Sequence, residues 1–269
     1  SAASDVYKRQ VWSCLFTAGV VTVQKRWAEV KKALRSRRTA LTLAVSGLCV
    51  AINWSVYIVG VLNGRIVSVS MGYFINPLVS VLLGVLVLRE RLRFWQIIAV
   101  LCAFSGVLYM SVGSRGVPWI SLALAFSFGL YGLLRKTVGV QAIPGTFVES
   151  LLVSPIVICY LLLEGIRGTS AFGSADAPTH LLLIGAGVVT AIPIIWFANG
   201  ARRIPLSQVG FLQYLAPTCQ LLMGVFLYGE SFTLTHLVSF SLIWLGIIIF
   251  TLSTFLRRYP SPTGTPAEP

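Results

Sequence analysis

The stretch from Tyr73 to Gly106 returns in outline 140 residues later. Pro77 recurs as Pro217, Gly84 as Gly224, Glu90 as Glu230 and Gly106 as Gly246. Upstream, with no gap, Gly47 recurs as Gly187 and Ala51 as Ala191. Matches of Leu or Val are common in an apolar chain. A shared register of Gly, Pro and Glu over about 60 residues is not, and it predicts a duplicated unit.

The solvent of that unit is lipid. The chain is 56% hydrophobic and only 11% charged, against about 25% charged residues in soluble domains. Nine apolar runs approach the length of about 20 residues that crosses a bilayer: 10–24, 40–63, 67–88, 94–112, 117–135, 145–164, 179–201, 206–228 and 234–256. The segment 164–179 reads as a surface loop, and 257–269, rich in Pro, Ser and Thr, as a disordered tail.

A net charge of +13 in a soluble protein would suggest nucleic acid. Here the basic residues sit in short loops, where they set topology instead. Counted alternately along the chain, one side holds 16 Lys and Arg and the other 5. The basic side is therefore expected to be cytoplasmic, and the C terminus with it. The five cysteines lie inside apolar runs without CxxC or Cys/His spacing, so neither disulfides nor zinc are expected. No catalytic signature for a hydrolase, metalloprotease or P-loop enzyme is present, and no cofactor is expected.

Overlaying the repeat on the runs leaves one run unmatched. Runs 2, 3 and 4 match runs 7, 8 and 9, so run 1 matches run 6, and run 5 lacks a partner upstream. The expected whole protein is an all-α integral membrane fold of ten spans, with the first missing here. Five spans per unit make the two units an inverted repeat. The first unit is 11–112, lacking its first helix, and the second is 117–256. Residues 1–10, SAASDVYKRQ, resemble neither a span nor a signal peptide and read as a junction artefact.

Proline and amide residues are the candidates for function. Pro77 and Pro217 stand at equivalent points of runs 3 and 8, where each removes a helical hydrogen bond and frees a carbonyl. They are expected to act as a pair of hinges or to be packing kinks. Asn53 and Tyr57 share a face of run 2, with Trp54 beside them. Tyr73, Asn76 and Pro77 form a stripe on run 3, and Gln213 and Pro217 a stripe on run 8, with Tyr214 adjacent. Trp196 and Asn199 lie near the basic end of run 7. Amides in a bilayer must face protein or water. Two readings follow: a substrate cavity lined by these residues, or hydrogen bonds that only hold the bundle together. Glu149, a turn into run 6, is either a proton-coupling carboxyl or a first-turn Glu favoured by the helix dipole. Glu90 and Glu230 read as first-turn or capping groups of the last run in each unit.

The tandem pattern P-x6-G-x5-E-x15-G resembles the EamA-type units of the drug/metabolite transporter superfamily. NW at 53–54, GYFINPLVSVLLG at 72–84, LALAFSFGLYGLLRK at 122–136 and GFLQYLAPTCQLLMGVFLYGE at 210–230 resemble its RarD-like branch, over residues 11 to 256. The resemblance implies ten helices in inverted five-helix halves, both termini cytoplasmic, and alternating access; Glu149 fits the family's acidic position in the second half. The expected function is export of a small organic solute across a bacterial inner membrane. Competing classes are a membrane scaffold or sensor and an enzyme acting on lipids, for which clustered carboxylates or histidines are absent.

Overall fold

The computed structural model describes residues 2–113, 118–166, 177–227 and 233–255, and every element among them is helical. Most of the expected loop at 164–179, all of the tail at 257–269, and Glu230 lie outside the described residues. In chain order the helices are α1 Ala2–Val23, α2 Trp27–Arg35, α3 Arg37–Leu62, α4 Ile66–Leu86, α5 Phe94–Gly113 and α6 Pro118–Thr137. They continue as α7 Ala142–Ile166, α8 Ala177–Arg203, α9 Leu206–Gln213, α10 Leu215–Leu227 and α11 Leu234–Phe255. Among the described residues α3, α4, α5 and α11 are each long and apolar enough to cross a bilayer.

All nine expected runs are helical among the described residues, with three departures. The basic stretch at 25–38 is not a plain loop but holds α2. Its charges masked an apolar edge: Val30 and Ala33, three apart, are both buried. The second departure is the run at 206–228, which breaks at Tyr214 into α9 and α10. Pro217 has no N–H to give the Gln213 carbonyl, and the chain tightens there, with Tyr214 N bonding to Phe211 O at 3.2 Å. Pro77, the repeat partner of Pro217, leaves α4 unbroken. α1 also runs back to Ala2, through the decapeptide expected to be a junction.

Helices related by the repeat pack on one another. The most extensive contact is α5 with α11, and α4 packs on α9. A Cβ at Gly106 would lie 2.7 Å from the Ser239 carbonyl oxygen, and one at Gly246 2.6 Å from that of Ala99. The repeated glycine thus lets the two backbones touch, which is how helices gain contact in lipid. Phe74 meets Phe240 edge-on at 5.2 Å, and Phe211 stacks on Phe250 at 3.9 Å, joining α4 and α9 to α11. Around this seam α4 also packs on α6, α3 on α6 and α7, and α1 on α7 and α8.

Candidate functional site

Where α3, α4, α6, α8 and the α9–α10 break converge, they enclose a cavity of about 580 Å³. Asn53 and Trp54 reach it from α3, Tyr73 and Asn76 from α4, and Gln213 and Pro217 from the break. The expected stripes on α4 and α9 therefore meet at one place. The Asn76 amide donates to Gln213 Oε1, and Gln213 Nε2 donates to Ser80 Oγ at 3.3 Å. Asn76 Oδ1 is buried without a protein partner. Asn53 Nδ2 is spent on the bundle: it bonds to the Leu124 carbonyl and to Ser127 Oγ, both at 2.9 Å. All three amides thus line the cavity and bond across the bundle, Asn76 and Gln213 to each other and Asn53 to α6. No charged side chain lines the cavity among the described residues.

Its remaining walls are mostly apolar and aromatic, from Leu124 and Phe128 on α6 and from Pro193 and Phe197 on α8, with Thr190, whose hydroxyl donates to the Ala186 carbonyl at 2.7 Å. Apolar residues in an apolar span carry no mark of facing a cavity, so the sequence left Phe128 and Phe197 unselected. The error on α8 is one residue: Trp196 is 72% exposed and points away, while Phe197 takes the wall. One residue turns a helical side chain by about 100°. Asn199 is half-buried outside the lining, and Tyr57 touches the lining aromatics Trp54 and Tyr73 from behind. Tyr214 and Pro77 are buried in protein rather than facing the cavity; Tyr214 packs in the α4–α5–α11 core.

Toward the basic ends of the helices the cavity is sealed. Phe128 and Phe197 lie 4.8 Å apart, and Tyr131 stacks on Phe197 at 5.7 Å. Beneath them Leu133, Ala201, Leu206 and Val209 form a buried cluster. Two charged side chains fasten this layer from outside. The Glu90 carboxylate accepts from Leu206 N at 2.6 Å, Ser207 N at 3.0 Å and Ser207 Oγ at 2.8 Å. Glu90 therefore caps α9, not the following helix of its own unit as expected. Gly84 makes room for it: a Cβ there would lie 2.8 Å from Glu90 Oε2. The Gly–Glu spacing thereby gains a physical reason. Lys136 Nζ donates to the carbonyls of Ala201 at 3.2 Å and Ile204 at 2.5 Å, neutralising the C-terminal end of α8. On the other side Val189, Pro193 and Ala216 line the cavity and are exposed.

Glu149 lies outside the cavity. It stands about two turns into α7, deeper than the sequence suggested, and is 4% exposed. Ser46 Oγ donates to its Oε1 at 2.5 Å, and Arg135 Nη1 lies 3.5 Å from the same atom. Arg135 is fully buried and donates to the Ala142 carbonyl at 3.0 Å. A residue counted as a loop charge is thus the counter-ion of the one deeply buried carboxyl among the described residues. The signal was present: an Arg ending one run faces a Glu entering the next across a short turn. No His/Cys/Asp/Glu grouping among the described residues could hold a metal ion.

Comparison with known proteins gives the same direction. The EamA-like transporter family model matches residues 8–112 and again 114–252. An uncharacterized transporter YojE of Bacillus subtilis is 42% identical over 248 residues, covering 91% of this chain and 83% of its own. Protein RarD of Salmonella typhi is 40% identical over 250 residues, covering 93% and 85%. One solved crystal structure aligns with a TM-score of 0.66 over 96% of this chain and 93% of that one. Its 17% identity speaks to the fold alone.

Proposed function

Because the chain belongs to the EamA-like transporter family, we propose that it exports a small organic solute from a bacterial cell through the cavity between α4, α8 and α9. It is a multi-pass bacterial membrane protein with a transporter's role; its substrate and mechanism are the subject of this reading. The observation that carries it is the meeting of Asn76 and Gln213 from α4 and α9, in a cavity that no charged side chain lines among the described residues. Such a site suits a solute with no net charge, with an apolar or aromatic body against Trp54, Tyr73, Phe128 and Phe197. A donor on the solute satisfies Asn76 Oδ1, which has no protein partner.

The sealed basic side and the break between α9 and α10 support a reading of alternating access. Rocking about Pro77 and Pro217 parts Glu90 from α9 and Lys136 from α8, opening the cavity to the cytoplasm. Glu149 couples protons: protonation removes the charge facing Arg135 and loosens the α3–α7 contact that Ser46 makes.

The test is flux in proteoliposomes under an imposed pH gradient, with a pool of neutral amino acids and neutral aromatic solutes. Asn76→Ala and Gln213→Ala should each lower flux about tenfold or more, the effect of about 1–3 kcal/mol from a buried polar group left unpaired. Glu149→Gln should leave flux that no longer responds to the gradient. Unchanged flux in both amide variants at equal protein overturns the site.

A further inference from the structure

α2 and the groove beside it are unused by the transport reading. Residues 25–38 carry seven Lys and Arg against one acid, Glu29. Arg26 holds Glu29 through two bonds of 2.7 and 2.8 Å. Lys25, Lys31, Lys32, Arg35, Arg37 and Arg38 are all exposed. They do not stand on a loose loop. Val30 and Ala33 are buried with Val21, Leu43, Phe147 and Val148, and the Trp27 ring meets Phe147 edge-on at 5.4 Å. Ser36 then caps α3, accepting from Thr39 N at 3.4 Å. The result is a fixed basic ledge at the membrane surface.

Beside the ledge, between the end of α2, the start of α3 and α7, runs a groove of about 300 Å³. Arg35 and Arg37 stand at its outer end. Leu41 and Ala44 lie about one and two turns further along α3, roughly 6 and 10 Å deeper, and Leu152 faces them from α7. No carboxylate among the described residues lines it. Two cations at the surface above an apolar floor match a molecule with an anionic head and a hydrocarbon tail. A free phosphate would leave the floor empty, and an acidic peptide would leave its backbone polar groups against Leu41 and Leu152.

We propose that this groove binds an anionic glycerophospholipid of the adjoining leaflet. Its phosphate sits at Arg35 and Arg37, and one acyl chain lies along Leu41, Ala44 and Leu152. The lipid braces α3 against α7 where the two repeats join. Ala44 is two residues from Ser46 and Leu152 three from Glu149, so the brace adjoins the Ser46–Glu149 hydrogen bond. Nothing in this proposal rests on the cavity or its substrate.

The test is thermal unfolding of the full chain in a neutral detergent, titrated with palmitoyl-oleoyl phosphatidylglycerol, with the phosphatidylcholine of the same chains, and with inorganic phosphate. Phosphatidylglycerol should raise the midpoint saturably, and the other two should not. Arg35→Ala with Arg37→Ala should weaken half-saturation about fivefold per arginine, as for a cation near an anionic lipid surface. Ala44→Trp keeps every charge but fills the groove, and should abolish the saturable rise; Arg65→Ala should change nothing. The lipid-free midpoint of each variant separates misfolding from lost binding. An equal rise with phosphatidylcholine, a rise with phosphate alone, or an unaltered titration in both groove variants overturns the proposal.

Discussion

At the scale of single residues, the costliest arrangement is the pairing of Arg135 with Glu149. Both are removed from water, and their geometry is modest at 3.5 Å, so Ser46 and the Ala142 carbonyl supply the rest of the solvation. Breaking such a pair leaves an unpaired buried charge, which costs far more than replacing both members. Arg135→Ala should therefore destabilise the protein by about 3–5 kcal/mol, and Arg135→Met with Glu149→Leu should cost much less. Unfolding in a mixed-micelle denaturation assay measures both; equal losses would remove Arg135 as the counter-ion. The same scale explains what the sequence yielded. Asn76 and Gln213 were legible because an amide in lipid must find protein or water. Arg135 was not, because the rule that assigns topology treats every basic residue at a span end alike.

At the scale of elements, the repeated prolines and glycines divide the work. Gly106 and Gly246 let α5 and α11 pack backbone to backbone, a fixed seam. Gly246→Leu drives a side chain into the Ala99 carbonyl and Ala103, and should cost about 1–3 kcal/mol as overpacking does. Its melting temperature, compared with that of the outward-facing Leu245→Ala, measures this. An undiminished melting temperature would mean that the seam is not close-packed. The sequence located both glycines but not their contact, since a repeat gives equivalence and not adjacency. Pro217 breaks its span where Pro77 does not, although the motif is shared. The neighbours decide this: α4 is held along its length by α6 and α9, whereas Leu212, Leu215 and Ala216 around the break are exposed. α2 was missed because charge outweighed a short apolar edge.

At the scale of the whole molecule, the all-helical membrane fold and the family were legible, because each rests on residues that lipid or backbone geometry constrains. The cavity wall on α8 was not, because side chains of one polarity give no face to read. The central claim is that one cavity serves both sides of the membrane, with the Glu90–α9 and Lys136–α8 contacts closing the basic side. Thr190 lines that cavity and reports on it directly when Thr190→Cys is introduced with the native cysteines replaced. The measurement is its labelling by a membrane-impermeant maleimide, applied from each side of oriented vesicles. The account predicts labelling from both sides. It also predicts that Glu90→Gln, which weakens the cap on α9 by about 1 kcal/mol, raises labelling from the basic side about fivefold. Labelling from one side only, with Glu90 intact and replaced alike, would contradict it.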